Sequence, residues 1–282
     1  MNIDMNLIKE IRCGIKEQDK LRRKVGEEIF LPLNEYNMRA LVYHGETTNS
    51  PRPVFFDVHG GGFISGHPEE DVTFCERMAQ ELDITVISLE YRVAPEYPCP
   101  TDKKDVLEAI EYIYNKAEKF NIDKERMAIG GHSAGGNISA VVSMLAKDKG
   151  LFKFRCLVLD YPALDLHKNP RDKMMAEDTI PVELADMFNK CYCSDINSSD
   201  KICSPNYATI EELRGMPPTI IITAERDSLR DEAEEYGLNL ARAGVDVFMK
   251  RYLNVKHAFV TDEHPDAQYA IDRMIKFTKQ YL

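Results

Sequence analysis

The protein has 282 residues, of which 44% are hydrophobic and 29% charged, a composition typical of globular proteins. A chain of this length can fold as one large α/β domain with a substantial core. Its net charge of −11 at pH 7 argues against nucleic acids and anionic membranes as partners, because basic patches bind those surfaces.

The cysteines and the first residues predict a cytoplasmic protein. Seven cysteines are an odd number, the N-terminus is polar and charged, and no stretch is apolar for long enough to span a bilayer. Cys191, Cys193 and Cys203 form the only cluster in the sequence. Because this cluster lacks CxxC pairs and histidines at ligand spacing, we expect reduced thiols and no metal site.

The periodicity of apolar residues predicts strands that alternate with helices along most of the chain. In chain order the predicted elements are a helix at 3–24, strands at Glu27–Leu33, Met38–Tyr43 and Pro53–Val58, a helix at Glu69–Leu82, a strand at Ile84–Glu90, a helix at Thr101–Phe120, a strand before Ser133 and a helix after it, strands at Phe154–Asp160 and Pro218–Ala224, a helix at Arg230–Ala243, a strand at Asp246–Tyr252 and a helix at Pro265–Tyr281. This alternation predicts a mainly parallel sheet of about eight strands with helices on both faces.

The stretch from Leu164 to Leu213 interrupts the alternation. It has no sustained strand pattern and is rich in Asp, Asn, Ser, Met and Cys. We interpret it as a helical insertion that carries substrate contacts.

Two glycine-rich motifs follow predicted strands. Gly131-His-Ser-Ala-Gly135 fits G-x-S-x-G between a strand and a helix, where a strained turn projects the serine hydroxyl outward and glycines avoid a clash. Ser133 is therefore the predicted nucleophile. In His59-Gly-Gly-Gly-Phe63, three glycines expose N–H groups without side-chain obstruction, which favours an oxyanion-hole loop over a merely flexible one.

The acid and the base of such a site follow the serine along the chain. His257 is the favoured base because its loop closely follows the last predicted strand, and His264 is the alternative. Three acids follow the preceding strand. Asp231 falls in the first turn of a helix, where a carboxylate is stabilised without a catalytic role. Glu225 stays a minor candidate, and Asp227 is favoured.

Together these motifs resemble the hormone-sensitive-lipase-like branch of the α/β-hydrolase esterases. The matching pieces are spread over most of the chain: His59-Gly-Gly-Gly-Phe63, Tyr91-Arg-Val-Ala-Pro-Glu96, Gly131-His-Ser-Ala-Gly-Gly136, Asp227-Ser-Leu-Arg-Asp-Glu232 and His257-Ala-Phe259. The resemblance implies an α/β-hydrolase fold in one domain over residues 1–282, with small helical cap elements at about 1–25 and 164–213.

The resemblance also implies a role for each matching residue. These are Ser133 as nucleophile, Asp227 as acid, His257 as base, the N–H groups of Gly61, Gly62 and Ala134 as the oxyanion hole, and His59 as a residue that fixes the loop. No metal or organic cofactor is needed for this chemistry.

The chain departs from the family pattern at two residues and in one length. His132 stands where the family usually has an acidic residue, and Ala258 where it usually has glycine. The segment ahead of the His-Gly-Gly-Gly loop is shorter than usual, which suggests a reduced cap. We expect His132 to be a supporting residue whose side chain points away from the hydroxyl of Ser133.

These features predict a serine esterase that acts on small-molecule esters through an acyl-enzyme. The polar composition of residues 164–213 predicts short acyl groups of about two to six carbons, because a longer chain needs an extended apolar groove. An amidase, formamidase or acyltransferase would share every residue named above. A non-catalytic ligand-binding receptor of the same family would have lost a member of the triad.

Overall fold

The computed structural model of the protein describes residues 5–19, 26–47, 51–262 and 264–282. The predicted N-terminal helix at 3–24 and the predicted cap element at 1–25 therefore lie partly outside the described residues. The strands are β1 Glu27–Pro32, β2 Asn37–His44, β3 Arg52–Val58, β4 Thr85–Leu89, β5 Ile122–His132, β6 Leu157–Asp160, β7 Thr219–Arg226 and β8 Val247–Lys256.

Helices cover both faces of the sheet that these strands form. The α-helices are α1 Met5–Asp19, α2 Val72–Leu82, α3 Thr101–Asn115, α4 Ala117–Phe120, α5 Ala134–Lys149, α6 Val182–Tyr192, α7 Ile210–Leu213, α8 Arg230–Arg242 and α9 Ala267–Tyr281, and short 3₁₀ helices lie at Pro68–Asp71, Pro170–Asp172 and Pro205–Tyr207. In the described part of the chain, none of the helices has the length and apolar character needed to cross a bilayer.

The sheet has eight strands in the order β1-β2-β4-β3-β5-β6-β7-β8. β2 runs antiparallel to both β1 and β4, and all the other neighbouring strands are parallel. The predicted fold class, a mainly parallel sheet of an α/β-hydrolase, is confirmed. Because the parallel strands end at one edge, the loops that follow them can meet there.

Successive residues of the central strands face opposite sides of the sheet, and both sides are buried. Phe55, Val86 and Ile220 pack in the core under α2 and α9, whereas Phe56 and Ile221 pack in the core under α3, α5 and α8. All five side chains are fully buried. This explains why the strands have continuous apolar sequences and not an alternating pattern.

Several predicted elements have different limits in the structure, and two of these differences have a clear local cause. The helix predicted at Thr101–Phe120 breaks at Lys116, where φ is −122° and the backbone N–H donates to Ile113 O at 3.1 Å. β6 begins at Leu157 and not at the predicted Phe154, because its partner strand β7 begins at Thr219, directly opposite Leu157.

Residues 164–213 contain α6, α7 and two 3₁₀ helices, and this wholly described stretch has no strand. A buried carboxylate holds its first part against the sheet domain. Glu232 of α8 accepts the N–H groups of Leu164 at 2.9 Å and Asp165 at 3.0 Å, and it also pairs with Lys173. The insertion is thus anchored beside the C-terminal edge of the sheet.

A disulfide links Cys193 and Cys203 in the loop after α6. The expectation of reduced thiols is wrong for this pair, because the insertion folds back and brings the two Cα atoms to 6.9 Å. A sequence separation of 10 residues without a CxxC pattern gave no sign of this approach. The other cysteines are free: Cys13, Cys75, Cys99, Cys156 and Cys191.

One arginine ties α1 to the loops on either side of α2 and β4. Arg12 donates from Nε to Ile64 O and from Nη2 to Ala94 O, both at 2.7 Å. It also forms a bidentate ion pair with the carboxylate of Glu96, with N–O distances of 2.7 and 2.9 Å. The N-terminal helix is thereby fastened directly to the loop that contains the three consecutive glycines.

Candidate active site

Ser133 lies on a tight turn between β5 and α5. Its φ of 53° and ψ of −113° are strained for an L-residue, and they place the side chain at the end of the strand. The two flanking glycines are required sterically. A Cβ on Gly131 would lie 2.4 Å from Val58 O, and one on Gly135 only 1.9 Å from the same atom.

The loops after β7 and β8 bring an acid and a base to this serine. His257 Nε2 lies 2.9 Å from Ser133 Oγ, and His257 Nδ1 lies 2.7 Å from Asp227 Oδ2. Asp227 is fully buried, and its other oxygen accepts the N–H of Leu229 at 3.0 Å. Ser133, His257 and Asp227 therefore form one continuous chain of hydrogen-bonding atoms.

The alternative candidates for base and acid are engaged elsewhere. Glu225 accepts the backbone N–H of Asn254 at 2.8 Å, and Asp231 pairs with its neighbour Arg230 at 2.7 Å. The N–H of Asp266 donates to His264 Nδ1 at 3.1 Å.

The surroundings of His257 favour its charged form. Burial opposes protonation, but the carboxylate of Asp227, through its charge and its hydrogen bond, outweighs that cost and raises the pKa of His257. The ring of Tyr161 packs edge-on against the imidazole, with the ring centres 4.9 Å apart. Asp160 and Asp262 contribute further negative charge nearby.

The glycine loop lies beside the nucleophile. Gly61, Gly62 and Ala134 line the same cavity as Ser133 and His257. Gly61 has φ 111° and Gly62 has φ 60°, both in the left-handed region that favours glycine. Ala134 is the first residue of α5, so its N–H has no partner within the helix.

His59 supports this loop from beneath. It is fully buried, and burial lowers its pKa to about 3, so the ring is neutral. Its Nδ1–H donates to Gly60 O at 2.8 Å, and its ring stacks on Tyr91 with the centres 4.3 Å apart. The hydroxyl of Tyr91 in turn donates to His59 O at 3.0 Å.

A cavity of about 320 Å³ opens in front of Ser133. The insertion supplies much of its apolar wall, from α6 and the segments before it: Leu166, Ile180, Leu184, Ala185 and Phe188. The Phe188 ring reaches the glycine loop, since a Cβ on Gly62 would lie 2.7 Å from it. The cavity can therefore hold a small apolar group close to the serine hydroxyl.

The side chain of His132 does not contact the serine hydroxyl. It is buried beneath the turn, and its Nδ1 lies 2.8 Å from Asp160 Oδ2. Its Nε2 lies 3.8 Å from Asp71 Oδ1 and 4.0 Å from Asp57 Oδ1. The sequence did not single out these three aspartates, although Asp57 and Asp160 are conspicuous as acids at the ends of otherwise apolar strands.

The Nε2 atom of His132 stands farther from Asp71 Oδ1 and Asp57 Oδ1 than two ligands of a preformed tetrahedral zinc site stand from each other. Ligands of a tetrahedral zinc ion at about 2 Å from the metal stand about 3.3 Å apart. Within the described ranges, Asp57, Asp71 and His132 are the one trio of metal-ligating side chains whose donor atoms lie within 4.8 Å of one another. We interpret the trio as a cluster of charges, and the expectation of no metal or cofactor stays a prediction.

Comparison with known proteins identifies the family. A family profile described as the alpha/beta hydrolase fold matches residues 55–261, a range that includes Ser133, Asp227 and His257. The chain belongs to this family, in its hormone-sensitive-lipase-like branch. The protein is accordingly a serine hydrolase of the carboxylesterase type.

Several of its relatives and structural neighbours are named esterases. The chain is 32% identical over 253 residues to an arylesterase of Saccharolobus solfataricus, covering 88% of this chain and 81% of that protein. It is 31% identical over 223 residues to the carboxylesterase NlhH of Mycobacterium tuberculosis, covering 78% of this chain and 70% of the relative. The structure of EstE1, a thermostable carboxylesterase cloned from a metagenomic library, superposes with a TM-score of 0.90 at 30% identity, covering 98% of this chain and 97% of the other.

Proposed function

We propose that this esterase hydrolyses carboxylic esters with short acyl groups through Ser133, His257 and Asp227, by way of a covalent acyl-enzyme. The observation that carries the proposal is the chain of contacts of 2.7 and 2.9 Å from Asp227 through His257 to Ser133. The strained backbone of Ser133 and the cavity in front of it support the same assignment.

In the first step His257 Nε2 takes the proton of Ser133 as Oγ attacks the ester carbonyl. Asp227 holds the imidazole in the tautomer that leaves Nε2 free, and it stabilises the imidazolium that forms. The same imidazolium then gives its proton to the departing alcohol. A carbon–oxygen bond to serine has replaced the one to the alcohol, and the enzyme is acylated.

The oxyanion of the tetrahedral intermediate is assigned to the N–H groups of Gly61, Gly62 and Ala134. Each such donor typically lowers the barrier by about 3 kcal/mol. Water, activated by His257, then attacks the acyl-enzyme and releases the acid. Every proton in this scheme moves between Ser133, His257, water and substrate, so the proposal includes no metal or organic cofactor.

The short acyl preference is supported by how α6 closes the cavity. Phe188 lies against Gly62, and Leu184 and Ile180 complete the apolar wall on that side. We therefore propose residues 164–213 as a cap over the acyl site within a single domain. An acyl chain longer than about six carbons would have to displace this wall. The gain from a longer chain is too small to offset that cost, because burying each methylene contributes only about 0.8 kcal/mol and only where it is covered.

The test is the kcat/KM of the protein on p-nitrophenyl esters from two to sixteen carbons, for the wild type and for Ser133→Ala. We expect a maximum at short chains for the wild type and nearly complete loss for the variant. Ser139→Ala is the matched control, because its buried hydroxyl lies on the same helix without a hydrogen-bond partner in the described structure. A maximum at ten carbons or more would contradict the acyl preference, and turnover by Ser133→Ala would contradict the nucleophile.

An amidase, a formamidase or an acyltransferase would use the same residues and differ in the leaving group. Matched pairs of ester and amide substrates separate these activities. The esterase names of the relatives favour the ester. A non-catalytic receptor would fail to turn over any of these substrates.

We propose the cytoplasm as the compartment, because five of the seven cysteines are free. The disulfide between Cys193 and Cys203 argues in the other direction. Cell fractionation decides between them: protein recovered with a cytoplasmic marker enzyme supports the cytoplasm, and protein recovered outside that fraction contradicts it.

A further inference from the structure

Four titratable side chains from separate elements meet in the interior beneath the nucleophile. They are His132 at the end of β5, Asp57 of β3, Asp71 of the 3₁₀ helix at Pro68–Asp71, and Asp160 at the end of β6, and none is more than 2% exposed. We call this group the buried charge cluster. It combines three carboxyl groups with one imidazole, so a positive charge on His132 can offset only one of the three, and burial raises the pKa of each carboxyl group, which favours the neutral acid.

The imidazole of His132 lies between the carboxyl groups. Nδ1 lies 2.8 Å from Asp160 Oδ2, and Nε2 faces Asp71 and Asp57 at 3.8 and 4.0 Å. Ser88 donates to the second oxygen of Asp57 at 2.6 Å. Both oxygens of Asp71 and Oδ1 of Asp57 have no hydrogen-bond partner among the described residues. The charge of His132 is therefore the nearest compensation for buried carboxylates that would otherwise be costly.

The buried charge cluster is connected to both reacting side chains. The backbone N–H of Ser133 donates to the carbonyl of Asp160 at 2.9 Å, so the residue that His132 binds also holds the nucleophile turn. The next residue, Tyr161, lies between the two histidines. Its ring centre is 6.0 Å from that of His132 and 4.9 Å from that of His257.

We propose that His132 is a positioning residue for ester hydrolysis: it fixes the nucleophile turn through Asp160, and its positive charge offsets the buried carboxylates near the base His257. The proposal rests on the proposed function, since it concerns the same serine and the same base. It assigns His132 to neither proton transfer nor substrate contact.

The ionisation of the groups in and around the cluster agrees with this role. Burial opposes the charged form of His132, but Asp71 and the hydrogen bond to Asp160 outweigh that cost and raise its pKa to about 10. The other titratable groups facing the cluster are Cys75 of α2, Tyr43 of β2, Glu70 and Tyr161. Those facing His257 are Asp227, Asp160, Asp262 and Tyr161.

Removing the charge of His132 or that of Asp160 should move the pKa of His257 in a predictable direction, because Asp160 is the member of the cluster whose charge acts on His257. Without the positive charge of His132, the carboxylates are uncompensated and the imidazolium of His257 is stabilised. Without the negative charge of Asp160, it is destabilised. At an effective dielectric constant of about 20, one charge about 10 Å from a titrating group shifts the pKa of that group on the order of one unit.

The experiment measures kcat/KM of p-nitrophenyl acetate hydrolysis against pH for the wild type, His132→Asn, Asp160→Asn and the double variant. We expect the acid limb, which reports the pKa of His257 in the free enzyme, to move to higher pH in His132→Asn and to lower pH in Asp160→Asn. In the double variant it should return towards the wild type. We also expect kcat to fall at least tenfold in His132→Asn with KM nearly unchanged.

Asp262→Asn is the matched control for charge. It removes the same charge from the neighbourhood of His257, but Asp262 is about half exposed. Its effect should be small and should vanish in about 0.5 M salt, where exposed charges are screened, while the effects of the buried variants persist. Titration of active serine with diethyl p-nitrophenyl phosphate gives the correctly folded fraction of each variant.

Two outcomes would overturn the inference. If His132→Asn and Asp160→Asn lost activity with an unmoved acid limb, the cluster would have only a structural role. If elemental analysis found an equimolar divalent metal in the purified protein, a bound cation would balance the carboxylates instead of His132. Both differ from failure of the proposed function, in which Ser133→Ala keeps its activity or the wild type shows no acid limb at all.

Discussion

At Ser133 a strained backbone is held in place by hydrogen bonds on both sides of the residue. A non-glycine residue in such a conformation costs about 1–3 kcal/mol and persists only where its surroundings enforce it. Here the N–H of Ser133 donates to Asp160 O at 2.9 Å, and Ser133 O accepts the N–H of Ala163 at 3.1 Å. The backbone position of Ser133 is thus fixed by β6 and the loop after it as well as by β5.

Asp227 and Asp231 lie only four positions apart, yet we expect opposite results from the same substitution. Asp227→Asn should lower kcat by about 10⁴, because the amide favours the wrong tautomer of His257. Asp231→Asn should leave kcat almost unchanged and cost about 0.3–1 kcal/mol of stability, through its interaction with the dipole of α8. Steady-state kinetics and thermal unfolding of both variants check this, and a larger kinetic loss in Asp231→Asn would mean that the acid is misassigned.

Among the secondary-structure elements, α6 determines the shape of the cavity without contributing a catalytic group. Its side chain Phe188 touches the glycine loop, and Leu184 faces the same space. The side chains proposed to react come instead from the turn or loops after β5, β7 and β8. In this proposal the chemistry and the choice of acyl group belong to different parts of the fold.

Phe188→Ala should lengthen the preferred acyl group. Removing the ring opens space behind the oxyanion loop, and each additional covered methylene should gain about 0.8 kcal/mol, or roughly fourfold in kcat/KM. Met187→Ala is the control, because Met187 lies on the same helix and does not line the cavity. An unchanged chain-length profile in Phe188→Ala would place the acyl group on another side of the serine.

Local patterns reveal the elements of this fold better than they reveal their contacts. The predicted strands and the turn at Ser133 were recognisable because apolar runs and glycine positions are local properties of the sequence. The proximity of Asp57, Asp71, His132 and Asp160 was not, since it depends on which strands become neighbours. The pairing of Cys193 with Cys203 was hidden because it depends on how residues 164–213 fold back on themselves. At Lys116 the local pattern was misleading, because the apolar stripe of the sequence continues to Phe120 whereas α3 ends at Asn115.

Across the whole molecule, one arginine joins distant parts of the antiparallel edge of the sheet. Arg39 of β2 pairs with Glu28 of β1, with Glu90 after β4, and with Glu69 of the 3₁₀ helix. Burial opposes ionisation of Glu69, but hydrogen bonds from His67 and Arg39 outweigh it and lower the pKa of Glu69. A carboxylate with a lowered pKa stabilises the folded protein above its unfolded pKa, and that stabilisation is lost as the pH falls.

We therefore expect Glu69→Gln to destabilise the protein by roughly 1.5–3 kcal/mol at pH 7, the range for hydrogen bonds to charged groups. The difference from the wild type should shrink as the pH falls below about 4.5, near the unfolded pKa of glutamate. Urea unfolding of both proteins at several pH values measures this difference in the free energy of unfolding. Glu28 pairs with the same arginine but is half exposed, so Glu28→Gln should change the free energy of unfolding by less than about 1 kcal/mol. A pH-independent difference for Glu69→Gln would contradict the linkage.

The hydrogen bonds of Arg12 to Ile64 O and Ala94 O have a consequence for the thermal inactivation of the enzyme. A short terminal helix frays more readily than a central sheet. If α1 detaches, the loop with Gly61 and Gly62 loses a brace while the strands remain paired. Inactivation would then precede unfolding, and Arg12→Ala would lower the temperature of half-inactivation more than the melting temperature followed by circular dichroism. Equal shifts of the two temperatures would show that the loop needs no such brace.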